Sequence, residues 1–186
     1  MIFLTIDNQL TLKTLIEKDA HRLFSLIESN RAYLRAWLPW LDHSTTEKDS
    51  STFIKTMTER WLSKKGFALG IWLNDLLIGT VGFNVIDRKR QLGKIGYWLS
   101  EAYQGRGIAT QAVQALITYG FQSLDLRTIT INCAEKNAKS RKVAERLGFH
   151  FDKVETNKEW LYDHYINHVV YSLKSHDWRI HKQRVL

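Results

Sequence analysis

The sequence predicts a mixed α/β fold, and three patterns support this prediction. Segments that alternate apolar and polar residues, as strands do, lie near both ends and in the middle of the 186-residue chain. Segments with the apolar spacing of helices separate them. Residues 106–123 have the clearest helical pattern and lie between two predicted strands, which indicates a strand–helix–strand crossover. The length is typical of one ordinary domain, and we expect residues 1–186 to form a single domain.

The N-terminal part of the chain is predicted to form two strands and then a helix. Residues 2–6 and 10–15 have strand character and flank a turn at Asp7. Residues 17–29 repeat apolar side chains every three or four positions, which is the spacing of an amphipathic helix.

Two further helices are expected before residue 66. The aromatic-rich segment 30–40 contains the only proline, Pro39, which we expect to end a short helix because the residue before a proline avoids helical geometry. The next helix is expected to begin after Thr45 or Thr46, since either hydroxyl can cap it, and Asp49 adds a negative charge to its first turn.

The middle of the chain changes to strand periodicity. Residues 67–73 and 76–86 flank Asn74 and Asp75, a pair that favours the turn of a β-hairpin. Residues 92–99 are predicted to form a further strand that leads toward the central helix.

The C-terminal part of the chain completes the α/β pattern. A strand rich in β-branched residues is predicted over 127–133, and a helix over 138–147 that Gly148 can close. Residues 149–154 and 164–173 are predicted to form the last two strands.

Composition and charge limit the class of protein. The chain is 44% hydrophobic with one proline and ten glycines, which excludes collagen-like and low-complexity proteins. The net charge of +8 suits an acidic or polyanionic partner, or simply a basic surface. Cys133 is the only cysteine, which excludes an internal disulfide and a cysteine zinc cluster. Without a signal peptide or a long apolar run, we expect a cytoplasmic protein with no membrane partner.

The segment 104–109, Gln-Gly-Arg-Gly-Ile-Ala, lies between a predicted strand and the central helix. Its glycines allow a sharp turn, and the free N–H groups at the start of the helix favour a phosphate, with Arg106 adding positive charge. A dinucleotide fingerprint would need glycine where Thr110 stands, and the Gly-Lys-Ser/Thr of a P-loop is absent. A plain turn containing glycine remains the alternative.

Longer motifs connect this loop to a known family. Gln104-x-x-Gly107-x-Ala109, following the strand 95–99, resembles the acetyl-coenzyme A (acetyl-CoA) pyrophosphate loop of the GCN5-related N-acetyltransferases, the GNAT family. Asn137-x-x-Ser140 and Leu147-Gly148-Phe149 follow at that family's spacing. The segments 30–40 and 159–172 are similar to the branch that acetylates ribosomal proteins on α-amino groups.

The resemblance implies both a fold and a reaction. The family fold is a mixed, mostly antiparallel sheet flanked by helices, with a splayed parallel strand pair that holds acetyl-CoA. The implied reaction is direct transfer of acetyl from acetyl-CoA to a primary amine, in the first place the N-terminal α-amine of a ribosomal protein, and the charge of +8 suits an acidic one. The implied cofactor-binding residues are Tyr97, Trp98, Leu99, Gln104, Gly105, Arg106, Gly107, Ile108, Ala109, Thr110 and Asn137.

The resemblance also implies the catalytic residues. Many relatives carry a tyrosine where this chain has Ala144, and in the ribosomal-protein branch a serine at the position of Ser140 is thought to protonate the leaving thiolate. Glu159 matches the carboxylate thought to deprotonate the amine through water. Many relatives have another glutamate near Lys94, where this chain has none. The alternatives are helix capping or a surface hydroxyl for Ser140, and a surface ion pair with Lys158 for Glu159.

Three other features allow more than one interpretation. His164 and His168 lie on a predicted strand, so we expect histidines of the surface or cleft and no metal site. A basic cluster could contact the 3′-phosphate of CoA or face solvent; its members are Lys136, Lys139, Arg141 and Lys142. Four aromatic residues could line an acceptor groove or fill the core; they are Tyr33, Trp37, Trp40 and Trp61.

Two other functions compete with protein acetylation. The acceptor could be a small amine such as a polyamine, an amino acid or an aminoglycoside, although the segment 30–40 is poor in the acids that would hold a cation. A basic nucleic-acid-binding module is a remote alternative, because no nucleic-acid-binding motif is present and no specific nucleic acid is expected. Related enzymes are often dimers, which makes a homodimer an open option.

Overall fold

The computed structural model describes residues 1–178, and one eight-stranded sheet runs through them. The strands are β1 (Phe3–Thr5), β2 (Leu10–Thr14), β3 (Phe67–Leu73), β4 (Leu76–Asp87), β5 (Leu92–Leu99), β6 (Thr128–Ala134), β7 (His150–Leu161) and β8 (His164–Lys174). The α-helices are α1 (Ala20–Ser29), α2 (Arg31–Arg35), α3 (Glu47–Leu62), α4 (Ile108–Gln122) and α5 (Ala138–Arg146). Short 3₁₀ turns occur at Glu17–Asp19, Pro39–His43 and Glu101–Tyr103.

The strands are arranged in the order β1-β2-β3-β4-β5-β6-β8-β7. Neighbouring strands are antiparallel except β5 and β6, which are parallel and are connected by the crossover helix α4. This arrangement confirms the predicted mixed, mostly antiparallel α/β fold with its parallel strand pair and flanking helices.

Two apolar clusters cover opposite faces of the sheet. The larger cluster joins α4 and α5 to the sheet and includes Ile71 and Ile78. The second cluster joins α1, α2 and α3 to Trp72 and Leu77. Because consecutive residues of a strand point to opposite faces, these neighbouring residues show that helices pack on both sides.

Local chemistry explains why several predicted elements have their observed limits. Asn74 and Asp75 have positive φ values of 47° and 63°, which suits the tight turn between β3 and β4. Thr46 caps α3 by accepting from Asp49 N–H, while the Asp49 carboxylate accepts from Thr46 N–H. This reciprocal capping box selects Thr46 over Thr45 as the first residue of the cap.

Two element predictions were wrong. Pro39 does not end a helix: α2 already ends at Arg35, and Pro39 begins the following 3₁₀ turn, where its missing N–H costs no hydrogen bond. β7 does not end at Val154 but extends to Leu161. Most of its side chains are exposed on both faces, so this strand lacks the alternation that would have predicted its full length.

Within the described part of the chain, no helix is both long and apolar enough to cross a membrane.

Candidate active site

The site opens where the parallel strands separate. β5 and β6 pair from Leu92 with Thr128 to Ile95 with Ile131, and their described residues form no further pairs. Beyond Ile95, β5 remains paired with β4 on one side, so the edge of residues 97–99 that faces β6 has no strand partner. A cleft therefore forms at the carboxyl ends of the two strands, where α/β sheets commonly bind ligands.

The loop 104–109 borders this cleft and contains two glycines in left-handed conformations. φ is 72° at Gly105 and 77° at Gly107, values that residues with a Cβ rarely adopt. The N–H of Gln104 donates to Glu101 O. The N–H groups of residues 105–110 have no acceptor among residues 1–178, and the first helical bond is from Gln111 N–H to Gly107 O. This row of unpaired donors can bind a phosphate group.

A cavity of about 560 Å³ adjoins the loop and carries positive charge. Lys139, Lys142 and Arg146 line it, and Lys139 Nζ donates to Gln104 Oε1 at 2.8 Å. The predicted basic cluster is therefore divided. Arg141 donates to Tyr171 Oη instead and does not line this cavity, whereas Arg146, which the sequence analysis did not select, does.

Ser140 lies at the inner end of this cavity, in the first turn of α5. Asn137 caps the helix, because its Oδ1 accepts from Ser140 N–H at 3.1 Å. The capping role therefore belongs to Asn137, and the Ser140 hydroxyl instead lies 2.9 Å from Tyr97 Oη. Burial raises the pKa of Tyr97 well above its usual range, so its phenol stays protonated.

A second cavity of about 620 Å³ lies on the other side of this point. Both cavities are lined by Tyr97, Asn137 and Ser140, so Ser140 lies where they meet. The second cavity is also lined by Trp37, Trp40, Asn84, Lys94, Glu159 and His168. Its position and aromatic walls make it the candidate acceptor cavity, and the cavity beside the loop 104–109 is the candidate cofactor cavity.

Glu159 faces the acceptor cavity and is paired with a histidine. His168 Nε2 lies 3.1 Å from Glu159 Oε2, and its Nδ1 is buried without a partner among the described residues. Because a buried N–H without an acceptor is rare, this environment favours the tautomer in which Nε2 carries the proton and donates to Glu159. The alternative surface pair is not formed, since Lys158 pairs with Glu155 at 3.0 Å.

The aromatic residues divide between the cavities and the core. Trp40 lines the acceptor cavity, Tyr33 lines the cofactor cavity, and Trp37 lines both. Trp61 packs edge-on against Phe67, with ring centroids 5.2 Å apart, and belongs to the core. The structure therefore places two of the four candidates beside the acceptor cavity.

Several residues around the acceptor cavity were not predicted from the sequence. Lys94 was noted only because no carboxylate stands at that position, and His168 only as a histidine of the surface or cleft. Tyr162 donates from its hydroxyl to Leu38 O at 2.6 Å, which fastens the β7–β8 turn to the segment that carries the tryptophans. No local pattern signals these contacts, because β7 and β8 lie far along the chain from residue 38.

The fold and the site together define the class of the protein. The free amides of the glycine loop, at the N-terminus of α4, suit a diphosphate group. The two cavities meet at Ser140, next to the separated parallel strands. This arrangement suits an enzyme that transfers an acyl group from a diphosphate-containing carrier. Residues 9–150 match the family model of the acetyltransferase (GNAT) domain, and the chain belongs to this family. It is an N-acetyltransferase that uses acetyl-CoA as its co-substrate.

Relatives and solved structures agree with this assignment. The chain is 35% identical to the ribosomal-protein-serine acetyltransferase of Escherichia coli, over 86% of this chain and 89% of that protein. Its fold matches a ribosomal L7/L12 α-N-protein acetyltransferase in complex with coenzyme A, with a TM-score of 0.90, 26% identity and coverage of 93% and 98%. It also matches the microcin C7 self-immunity acetyltransferase MccE in complex with acetyl-CoA and AMP, with a TM-score of 0.87, 30% identity and coverage of 91% and 94%.

Proposed function

We propose that the protein acetylates the N-terminal α-amine of a protein, with ribosomal proteins as the substrate class, and that residues 1–186 form one N-acetyltransferase domain. The observation that carries this proposal is the acceptor cavity, which has room for the end of a peptide and meets the cofactor cavity at Ser140. Similarity to an enzyme named for a ribosomal-protein serine supports the choice of substrate class.

The cofactor cavity offers partners for the diphosphate, the pantetheine arm and the thioester of acetyl-CoA, which supplies the acetyl group. The free amides of residues 105–110 suit the diphosphate. Arg106 belongs to the same loop but does not line the cavity, and its guanidinium lies over the ring of Tyr103, 5.4 Å from the centroid. The unpaired edge of residues 97–99 offers main-chain groups to the pantetheine arm and a donor for the developing oxyanion. Asn137 keeps its amide N–H groups for the arm, because only its Oδ1 is used in the cap.

Two side chains are positioned for proton transfer. Ser140 can protonate the leaving sulfur. The Tyr97 hydroxyl, which donates to Ser140 O at 3.1 Å and lies 2.9 Å from the serine Oγ, can turn its proton to that Oγ as its charge develops. Glu159, oriented by His168, can take the proton of the attacking amine through a water molecule. An α-amine has a pKa of about 7.7–8.0, so part of it is already neutral at pH 7 and the base needs to contribute only a part of the rate.

A product survey tests the proposed acceptor. The purified protein is incubated with acetyl-CoA and a peptide that carries both a free α-amine and an internal lysine, and mass spectrometry locates the acetyl group. We expect acetylation at the α-amine and none on the same peptide with a blocked N-terminus. Modification of lysine alone, or of spermidine or an aminoglycoside in preference to the peptide, would contradict the proposal.

A further inference from the structure

Lys94 lines the acceptor cavity and has no charged partner among the described residues. It lies on β5 opposite Val85 of β4 and Thr130 of β6, in the last part of the parallel pair before the strands separate. Its side chain lines the acceptor cavity and is half-buried. Within residues 1–178, Lys94 forms neither an ion pair nor a hydrogen bond through its side chain.

Two carboxylates, those of Glu155 and Glu159, act on Lys94 through their charge, but each is in direct contact with another side chain. Glu155 binds Lys153 at 2.9 Å and Lys158 at 3.0 Å, and Glu159 is paired with His168. Burial, together with the positive charge of Lys158, lowers the pKa of Lys94 from its ordinary value. A half-buried ammonium without a counter-ion is costly, and a ligand that brings a negative charge would relieve this cost.

The residues around Lys94 add a second polar group to the same cavity, because Asn84 also lines it. Gly96 follows on the same face of β5 and is paired with Gly82 of β4, so the floor of the cavity has no side chains there. Asn84 stands at the bulge in β4, and its amide lies over Gly96, where an added Cβ would come within 2.2 Å of Asn84 Nδ2. This amide forms no hydrogen bond with the described residues and can donate to the same ligand.

We infer that Lys94, with Asn84 beside it, binds a carboxylate of the acceptor, so the preferred acceptor carries an acidic group close to its reacting amine. This inference rests on the proposed function, because the proposed function is what places the reacting amine at Glu159. A carboxylate can come from an acidic side chain near a peptide N-terminus or from the α-carboxylate of a free amino acid. An ammonium and an amide N–H recognise both, because each donates to carboxylate oxygens.

Peptides that differ in one residue test the inference. Three peptides begin with serine and carry glutamate, glutamine or lysine at the second position. For the wild-type protein we expect kcat/KM to be about tenfold higher for the glutamate peptide than for the glutamine peptide. A difference of this size is typical of one partly exposed, charge-assisted hydrogen bond. Lys94→Met should bring this ratio to about one, and Lys94→Glu should reverse the preference toward the lysine peptide.

The controls separate recognition from damage to the fold. Lys158→Met removes a neighbouring positive charge that does not line the cavity, and it should leave the glutamate-to-glutamine ratio unchanged. A reversed preference in Lys94→Glu cannot arise from misfolding. Equal use of the glutamate and glutamine peptides by the wild type, or a ratio that persists in Lys94→Met, would overturn the inference for peptides.

Serine and serine amide form the second arm of the experiment, because they differ only in the α-carboxylate. One outcome is that the wild type acetylates none of the peptides but prefers serine over serine amide, and that Lys94→Met removes this preference. In that case the proposed peptide acceptor is wrong and the carboxylate site is right. If peptides are acetylated without regard to their charge and serine is treated like its amide, the carboxylate site is wrong and the proposed function stands.

Discussion

Ser140 has two polar groups with separate contacts, which allows its proposed role as general acid to be tested cleanly. Its N–H completes the cap of α5, whereas its hydroxyl faces Tyr97 and the junction of the cavities. Ser140→Ala keeps the backbone cap, so the fold should be retained. We predict that kcat falls about 100-fold, within the usual contribution of a general acid, with little change in KM for acetyl-CoA.

Steady-state kinetics with a saturating acceptor measure this effect. Ser140→Thr keeps a hydroxyl and is the matched control, and it should retain more activity than Ser140→Ala. A Ser140→Ala protein with wild-type kcat would reject the acid role.

In the proposed mechanism His168 acts through Glu159, which makes it a positioning residue. Its Nε2 donates to one carboxylate oxygen and leaves the other oxygen of Glu159 for the acceptor or a bridging water. We predict that His168→Leu lowers kcat about tenfold, because the carboxylate loses the contact that orients it. His168→Gln places an amide N–H near the position of Nε2 and should restore most of the rate.

The double variant distinguishes positioning from a general structural effect. In a Glu159→Gln background, His168→Leu should cause little further loss of kcat, because the two residues act together. Melting temperatures of all variants verify folding. An equal loss of kcat in both backgrounds would contradict the positioning role.

At the residue scale, contiguous motifs explain which parts of the site could be predicted. The loop 104–109 and the Asn137–Ser140 pair are each short and contiguous in sequence, so the spacing of neighbouring residues was enough to predict them. The surroundings of Glu159 and Lys94 depend on the packing of β4, β5, β7 and β8. The pairing of Glu159 with His168 also requires the register shift between β7 and β8, which local spacing does not reveal.

At the scale of elements, the turn from β5 to α4 depends on positive φ at Gly107. No heavy atom lies closer than 4.0 Å to the position of an added Cβ, so Gly107→Ala meets backbone strain but no clash. The strain of a non-glycine residue in this conformation is about 1–2 kcal/mol, and its relief would turn the amides away from the diphosphate. We predict about tenfold weaker binding of acetyl-CoA, measured by calorimetric titration.

Gly148 provides the matched control for this prediction. It closes α5 with φ of 76°, a similar left-handed conformation, and lines neither cavity. Gly148→Ala should lower the free energy of unfolding by a comparable amount and leave acetyl-CoA affinity unchanged. If both variants weaken binding equally, the loss reflects general destabilisation of the fold.

The element predictions succeeded where local chemistry decides the structure. β3 and β5 have the predicted limits, because their apolar patterns end at turn residues on both sides. The central helix was predicted to begin at Arg106 and begins at Ile108, since Gly105 and Gly107 leave the helical region of φ. The C-terminal half of β7 could not be predicted, because that strand is held by its pairing with β8.

At the scale of the whole molecule, the sheet places two cavities on either side of one serine. The separation of β5 from β6 creates the opening, helices α1 to α3 cover one face, and the β7–β8 turn holds the tryptophan segment through Tyr162 and Leu38. Acetyl-CoA therefore should contact elements that are distant in sequence, including β5, the loop 104–109, α4 and α5. Binding to so many elements of the folded state, and to none of the unfolded chain, must stabilise the protein as a whole.

Thermal unfolding tests this consequence. At a concentration one hundred times its Kd, a ligand that binds only the folded state adds about 2.7 kcal/mol to the free energy of unfolding, which raises Tm by about 5–10 °C in a protein of this size. We expect this shift with acetyl-CoA, and a similar one in Ser140→Ala, which alters catalysis and not the diphosphate contacts. Acetyl-pantetheine at the same concentration lacks the diphosphate and should produce a much smaller shift. Equal shifts with both compounds would show that the amides of residues 105–110 do not hold the diphosphate.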